Sequence, residues 1–153
     1  MGRYEELLME CEIEVKETNR LPKGFDGWYQ NGKIFIRPTL PEREKLQTLH
    51  EEIAHHKLTY GNILDQKNFN NRKFENYARR YSYETSMPLS GIVEAFKQGV
   101  RNLYELANFF EITEGYALYC IEHYKKKYGL NTLIGDYLIE FEPLRVFEYK
   151  NII

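Results

Sequence analysis

Long apolar runs, a large excess of one charge and a set of paired cysteines are all missing from this sequence of 153 residues. No run approaches the roughly 20 apolar residues that cross a bilayer, and the first residues lack the apolar core of a secretory signal. The two cysteines, Cys11 and Cys120, are far apart and are expected to be reduced, small apolar residues. These absences predict a cytoplasmic protein that is neither secreted nor inserted into a membrane.

The charge balance provides no general attraction to nucleic acid or to an anionic membrane. There are 21 lysines and arginines against 23 aspartates and glutamates, for a formal net charge of -2. The 42% hydrophobic and 29% charged composition is typical of one globular domain. We find no repeat, low-complexity tract or interdomain linker. The sequence therefore predicts one domain over residues 1–153, with residues 1–88 and 89–153 as its two parts.

Turn signals and periodicity predict a mostly helical α+β fold in the amino-terminal part. Apolar residues at helical spacing indicate a first helix over the first dozen residues. Asn31-Gly32, between two short apolar segments, predicts a β-hairpin with a two-residue turn. A second helix is expected from about Pro41 to Tyr60, and the polar residues 62–71 are expected to form a loop.

The carboxy-terminal part is predicted to be helical until a short closing hairpin. One helix carries Phe74, Ala78 and Tyr81 and ends at Met87-Pro88. Three polar residues are expected to cap the later helices, namely Ser90, Asn102 and Thr113. Alternating residues on both sides of Glu142-Pro143 predict two short strands. Tyr77 and Tyr81 are predicted to be core aromatics, and His123 a surface or boundary residue.

The second helix contains the segment whose side chains are most typical of a metal-binding or catalytic site. Residues four apart on an α-helix lie roughly 40° apart around its axis, so Glu51 and His55 project side by side. Two such side chains can share one metal ion. Glu52 lies near His55, where its carboxylate could hold and deprotonate a water. This is the geometry of an H-E-x-x-H metallopeptidase helix with a carboxylate in place of the first histidine.

Other pairs of residues on the same helix are less suitable as ligands of one metal ion. The residue four after His50 is Ala54, so a literal H-E-x-x-H is absent. His50 and His55 lie roughly 140° apart around the helix, too far to share one ion. Glu52 with His56 works geometrically, but His56 falls on the apolar face and is expected to pack. The register that starts at Glu51 is therefore preferred.

Several segments resemble the short phage and mobile-element members of the ImmA/IrrE metallo-endopeptidase family. They include residues 48–66, residues 71–73 with Glu75, residues 78–84, Pro88-Leu89, residues 91–96, residues 102–107 and Phe141–Leu144. The resemblance implies a zincin-like fold, a zinc cofactor and a protein substrate. It also implies a role in cleaving a phage-type repressor, with no part for a membrane or for nucleic acid.

The resemblance also implies roles for particular residues. His55 matches the second histidine ligand, Glu52 matches the general base, and Glu51 occupies the place of the first ligand. The family's third ligand is a glutamate on a later helix, and its place aligns with Tyr77. The nearest acid, Glu75, is therefore the candidate third ligand beside His55 and Glu51. A site with more oxygen ligands discriminates less strongly for zinc. His50 and His56 are predicted as neighbours of the site.

Two alternative functions remain open in the sequence. The chain could be an inactive family member that engages a regulatory protein without hydrolysing it. Residues 103–118 also resemble a helix-turn-helix, with a core of Leu106, Ala107, Ile112 and Leu118. The second helix of that segment begins Glu114-Gly115-Tyr116 and lacks the side chains that contact phosphates and base edges. A packing module is therefore favoured over a DNA-associated regulator.

Overall fold

The computed structural model describes residues 2–60 and 71–149. The predicted α+β class with small sheets near both ends is confirmed. The chain divides into two compact units, residues 1–82 and 83–153. The expectation of one domain over the whole chain stays a prediction. Within the described residues, no helix is both long and apolar enough to cross a membrane.

The first unit contains a three-stranded sheet and three helices. The sheet is formed by β1 (Glu14–Glu17), β2 (Gly27–Gln30) and β3 (Lys33–Ile36), in the order β1-β3-β2. The β2–β3 hairpin is confirmed, because Asn31 and Gly32 both adopt positive φ, 51° and 76°. The sequence did not predict β1, which pairs parallel to β3. The helices are α1 (Arg3–Glu10), α2 (Glu42–Tyr60) and α3 (Asn71–Ser86), of which α3 continues into the second unit.

The core of the first unit lies between the sheet and the helices. Ile34 and Ile36 are fully buried on one face of β3. Ala54 and Leu58 of α2 pack against Ala78 of α3, with Phe74 and Tyr81 at the edge of this cluster. These contacts set how α3 is rotated against α2. The predicted loop over residues 62–71 lies almost wholly outside the described residues.

The prediction that Tyr77 is a core aromatic is wrong. Its side chain is 37% exposed, and the Arg80 guanidinium lies 5.5 Å from its ring centroid. Tyr77 precedes the buried Ala78, and successive residues lie roughly 100° apart around a helix. Burial of Ala78 against α2 therefore turns Tyr77 towards solvent.

The second unit also combines helices with a three-stranded sheet. The helices are α4 (Leu89–Lys97), α5 (Leu103–Phe110) and α6 (Glu114–Tyr128). The antiparallel sheet is formed by β4 (Asn131–Ile134), β5 (Tyr137–Phe141) and β6 (Leu144–Glu148). The predicted hairpin around Glu142-Pro143 is confirmed, and β4 adds a strand that the sequence did not predict. Phe141 stacks on Tyr124 of α6, with ring centroids 5.9 Å apart.

Two of the three predicted helix caps are confirmed. The Asn102 side chain accepts a hydrogen bond from the Glu105 backbone N–H at 2.8 Å, and Thr113 accepts one from the N–H of Tyr116 at 3.2 Å. The prediction for Ser90 is wrong, because α4 begins at Leu89 and Pro88 occupies the cap position. Ser90 therefore lies inside the first turn, where its side chain is not the cap.

The helix-turn-helix-like segment has a partly different core from the predicted one. Leu106, Ala107 and Ile112 are buried as expected, but Leu118 is 51% exposed. The buried face of α6 is formed instead by residues one, three and four apart, Tyr116, Ala117, Cys120 and Tyr124. Leu118 lies about 100° beyond Ala117 on the helix and so leaves that face.

Candidate functional site

The edge strand β2 approaches α2 closely at Gly27. A Cβ atom on Gly27 would overlap Cγ2 of Thr48 and would lie 3.2 Å from both Cγ and Oε1 of Glu52. Only a residue without a side chain permits this approach. The glycine therefore lets the backbone of β2 cover the Glu52 carboxyl group.

Glu52 is a buried acid in an environment that disfavours its charge. The residue is 8% exposed, and its Oε2 atom has no hydrogen-bond partner among the described residues. Burial, and after it the negative charges of Glu51 and Glu75, together raise the pKa of Glu52 to about 8. A cation next to this carboxyl group would oppose the shift, because it stabilises the ionised carboxylate.

His55 lies between two carboxylates from different helices. Its Nδ1 atom is 3.7 Å from Oε2 of Glu52, and its Nε2 atom is 3.2 Å from Oε2 of Glu75. The edge of the imidazole meets the ring of Phe74, with centroids 5.6 Å apart. The structure thus brings together Glu52, His55 and Glu75, which we call the acidic cluster. Glu75 of α3 is part of this cluster. Tyr77, which aligned with the position of the family's third ligand, is not.

Glu51 lies within electrostatic range of the same cluster. Burial raises the pKa of Glu51, Arg79 opposes this shift, and Glu75 and Asp26 add to it. Sequence reasoning assigned no site role to Arg79 or Asp26. The sequence could have indicated that Arg79 interacts with Glu75, because it lies four residues later on the same helix. No sequence pattern predicts the position of Asp26, since it depends on the loop before β2.

The two predicted neighbouring histidines have other surroundings. Burial, together with the positive charge of Arg3, lowers the pKa of His50 to about 4, so His50 is neutral near pH 7 and interacts with α1. The hydroxyl of Tyr29 on β2 lies 2.6 Å from Nδ1 of His56, and the two rings meet edge to face. His56 thus contacts the strand whose Gly27 covers Glu52, whereas His50 faces a different element.

The donor set of the cluster suits a divalent cation in chemistry and charge. The cluster offers one imidazole and the carboxyl groups of Glu52 and Glu75, and Glu51 interacts with both acids electrostatically. The buried Oε2 atom of Glu52 has no hydrogen-bond partner among the described residues. The atoms do not form a finished tetrahedral site. Glu52 and Glu75 approach different nitrogens of His55, and within residues 2–60 and 71–149 no group of three or more such side chains is arranged to hold an ion.

Comparison with known families agrees with this geometry. The model of the family Peptidase_M78, described as the IrrE N-terminal-like domain, matches residues 13–122. This span covers most of the chain and contains α2, α3 and the whole acidic cluster. The chain belongs to this family. The predicted relation to the ImmA/IrrE family is therefore confirmed. The roles assigned to Glu51, Glu52 and His55 stay predictions.

Comparison with solved structures finds a similar fold in a longer protein. A Mycobacterium tuberculosis transcriptional regulator matches with a TM-score of 0.57 and 13% sequence identity. The match covers 78% of this chain and 39% of the regulator, so the IrrE-like chain spans well under half of that protein. At this identity the likeness concerns the fold alone. No curated protein matches the sequence.

Proposed function

We propose that this IrrE-like chain is a metallopeptidase-like protein that uses a divalent cation, zinc in the first instance, to hydrolyse a regulatory protein. His55 and Glu75 hold the cation together with Glu51, and Glu52 handles the proton. The substrate class follows the family resemblance of the sequence to short phage and mobile-element members, which implies a repressor.

One distance carries the proposal. Nε2 of His55 and Oε2 of Glu75 are 3.2 Å apart. Two ligand atoms that share one zinc ion at about 2.0–2.2 Å each lie roughly 3–3.5 Å from one another. The pair therefore has the spacing of neighbouring ligands, and its members come from two helices, as the family pattern implies.

Charge supports the same assignment. Glu52 and Glu75 lie beside the His55 imidazole, and the negative charges of Glu51 and Glu75 act on Glu52. The pKa values of Glu51 and Glu52 are both raised. Without a cation, Glu52 keeps its proton near neutral pH, because its pKa is about 8. A nearby positive charge favours the ionised carboxylate, which can then accept a proton from water. When bound, the cation would polarise the scissile carbonyl.

Metal content and cleavage test this proposal together. Purified wild-type protein, loaded with zinc and then desalted, is expected to retain metal, whereas His55→Ala and Glu75→Gln should retain much less. Glu52→Gln should keep its metal and lose cleavage of the repressor encoded beside the gene, since a neutral amide cannot accept the proton. Glu12→Gln, an exposed acid outside the cluster, serves as the matched control.

Equal and negligible metal in the wild type and the cluster variants would overturn the cation assignment. Cleavage that persists in Glu52→Gln would overturn the role of Glu52 while leaving the cation in place.

A second function is favoured by a specific observation. Glu52 and Glu75 approach opposite nitrogens of His55, an arrangement that also suits a proton-bridged structural cluster without metal. In that case the chain binds a regulatory protein without hydrolysis. Metal-free wild-type protein that binds the repressor and leaves it intact would identify this alternative.

A further inference from the structure

The second unit contains a cavity that the proposed function does not use. It has a volume of about 400 Å³ and is formed by α4, the residue Arg101 that follows it, and the strands β5 and β6. Small-molecule sites in proteins commonly measure about 300–1,000 Å³. Six lining residues supply the features that matter, namely Phe96, Lys97, Arg101, Tyr137, Arg145 and Phe147.

The lining combines cations with flat apolar walls. Three cationic side chains and the Glu148 carboxylate line the cavity. Arg145 is paired with Glu140 at 2.9 Å, so the positive charge that a ligand would meet comes from Lys97 and Arg101. The Lys97 ammonium lies 4.8 Å from the ring centroid of Tyr137, and the Arg145 guanidinium lies 5.6 Å from that of Phe147. The Phe147 side chain is 36% exposed, so part of its ring is accessible to a second planar group.

The guanidinium of Arg101 is held in place by backbone carbonyl groups, while the Arg101 backbone N–H donates to Oε2 of Glu105 at 3.1 Å. Its Nη1 atom donates to the backbone carbonyls of Phe96 and Val100 at 3.1 and 2.8 Å. Carbonyl groups fix the guanidinium but leave its positive charge available. A fixed guanidinium suits two parallel hydrogen bonds to a phosphate group.

We propose that this cavity binds a nucleotide, with the base between the aromatic walls and the phosphate at Arg101. An anion without a ring would leave the walls of Phe96 and Phe147 unfilled. A ring without an anion would leave Arg101 unused. The same chemistry is present in a free mononucleotide and in single-stranded nucleic acid, where base stacking and cationic contacts occur together.

Titration calorimetry on the full chain tests the proposal with defined probes. Adenosine monophosphate is expected to bind saturably, and adenosine and inorganic phosphate each more weakly. Arg101→Gln should weaken binding of the nucleotide on the order of tenfold, because a hydrogen bond to a charged group is lost. Phe147→Ala should also weaken it, whereas Lys126→Gln, an exposed lysine of α6 outside the cavity, should not.

A short oligo(dA) strand distinguishes the two sources of the ligand. Tighter binding of the strand than of the mononucleotide, with the same loss in Arg101→Gln, identifies nucleic acid; equal or weaker binding identifies the free nucleotide. The proposal is overturned if neither probe binds saturably, or if Arg101→Gln with an unchanged melting temperature binds as tightly as the wild type. Because all these variants lie outside the acidic cluster, this result is independent of the metal assay.

Discussion

At the scale of single residues, Glu52 is the most unusual group described in the chain. The backbone of β2 covers its carboxyl group at Gly27, and the negative charges of two other acids act on it. Its buried Oε2 atom has no hydrogen-bond partner among the described residues. A protein that needed only a stable helix would place an apolar or amide side chain here. Functional groups of this kind commonly reduce stability in exchange for activity.

Replacement of Glu52 by glutamine should stabilise the metal-free protein in a pH-dependent manner. The folded-state pKa is about 8 against an ordinary value of 4.5, so the unfolded chain gains an ionised carboxylate between these pH values while the folded chain does not. The stability of the wild type therefore falls as pH rises from 4.5 towards 8. At pH 8 we expect Glu52→Gln to be more stable by on the order of a few kcal/mol.

Urea unfolding at pH 5 and pH 8, with a chelator present, measures this difference. Glu12→Gln should match the wild type at both pH values, because the Glu12 side chain is exposed. A stability difference between Glu52→Gln and the wild type that is the same at pH 5 and pH 8 would argue against the buried, protonated acid.

At the scale of elements, the acidic cluster depends on two packed pairs, β2 on α2 and α3 on α2. Gly27 sets the first approach, and the cluster of Ala54, Leu58 and Ala78 sets the second. Small residues at both contacts bring the backbones close together. The carboxyl groups of α2 and α3 can then meet around His55.

Substitution of Gly27 by alanine should separate β2 from α2. The added methyl would overlap Cγ2 of Thr48, so we expect a loss of about 1–3 kcal/mol in the free energy of unfolding. Thr48→Ser removes that methyl group of Thr48 and should recover part of the loss in the double variant. A double-mutant cycle from denaturant unfolding measures the coupling, and strictly additive effects would show that the two residues do not touch.

In the second unit, charged side chains outside the acidic cluster connect the carboxy-terminal end of α3 to α6. Nε2 of His123 lies 2.7 Å from Oε2 of Glu84, and Nζ of Lys127 lies 2.9 Å from the same oxygen. Partial burial would raise the pKa of Glu84, but the hydrogen bonds from Lys127 and His123 outweigh it and lower the pKa. His123 is thus a boundary residue with a defined partner.

The lowered pKa of Glu84 predicts stability that is lost in acid. Above the ordinary value of 4.5, Glu84 is ionised in both states and its pairing stabilises the fold; this contribution is lost as pH falls through the lower folded-state pKa. Glu84→Gln should therefore be less stable than the wild type at pH 7, by about 1 kcal/mol or less after solvent screening. The difference should shrink as pH falls below 4.5.

Thermal unfolding over this pH range, with Glu122→Gln of α6 as the exposed control, checks the contribution of Glu84. If the difference between the Glu84→Gln variant and the wild type persists unchanged at pH 3, the ion pairs are not its cause.

At the scale of the whole molecule, local signals predicted the elements well and the site in part. The turn at Asn31-Gly32, the caps Asn102 and Thr113 and the extent of α2 are all present, because each depends on a few neighbouring residues. The strands β1 and β4 were missed. Each completes a sheet through a partner strand, and short strands without strong alternation carry little signal of their own.

The sequence by itself determined the α+β class, the family resemblance and the side-by-side placement of Glu51 and His55, since helical periodicity places residues four apart on one face. Only the tertiary structure decided that Glu75 meets His55, that His50 faces Arg3 and that Tyr77 is exposed. These outcomes depend on how each helix is rotated against its neighbours. Burial of small and apolar residues from distant segments sets that rotation, and spacing along one segment does not contain it.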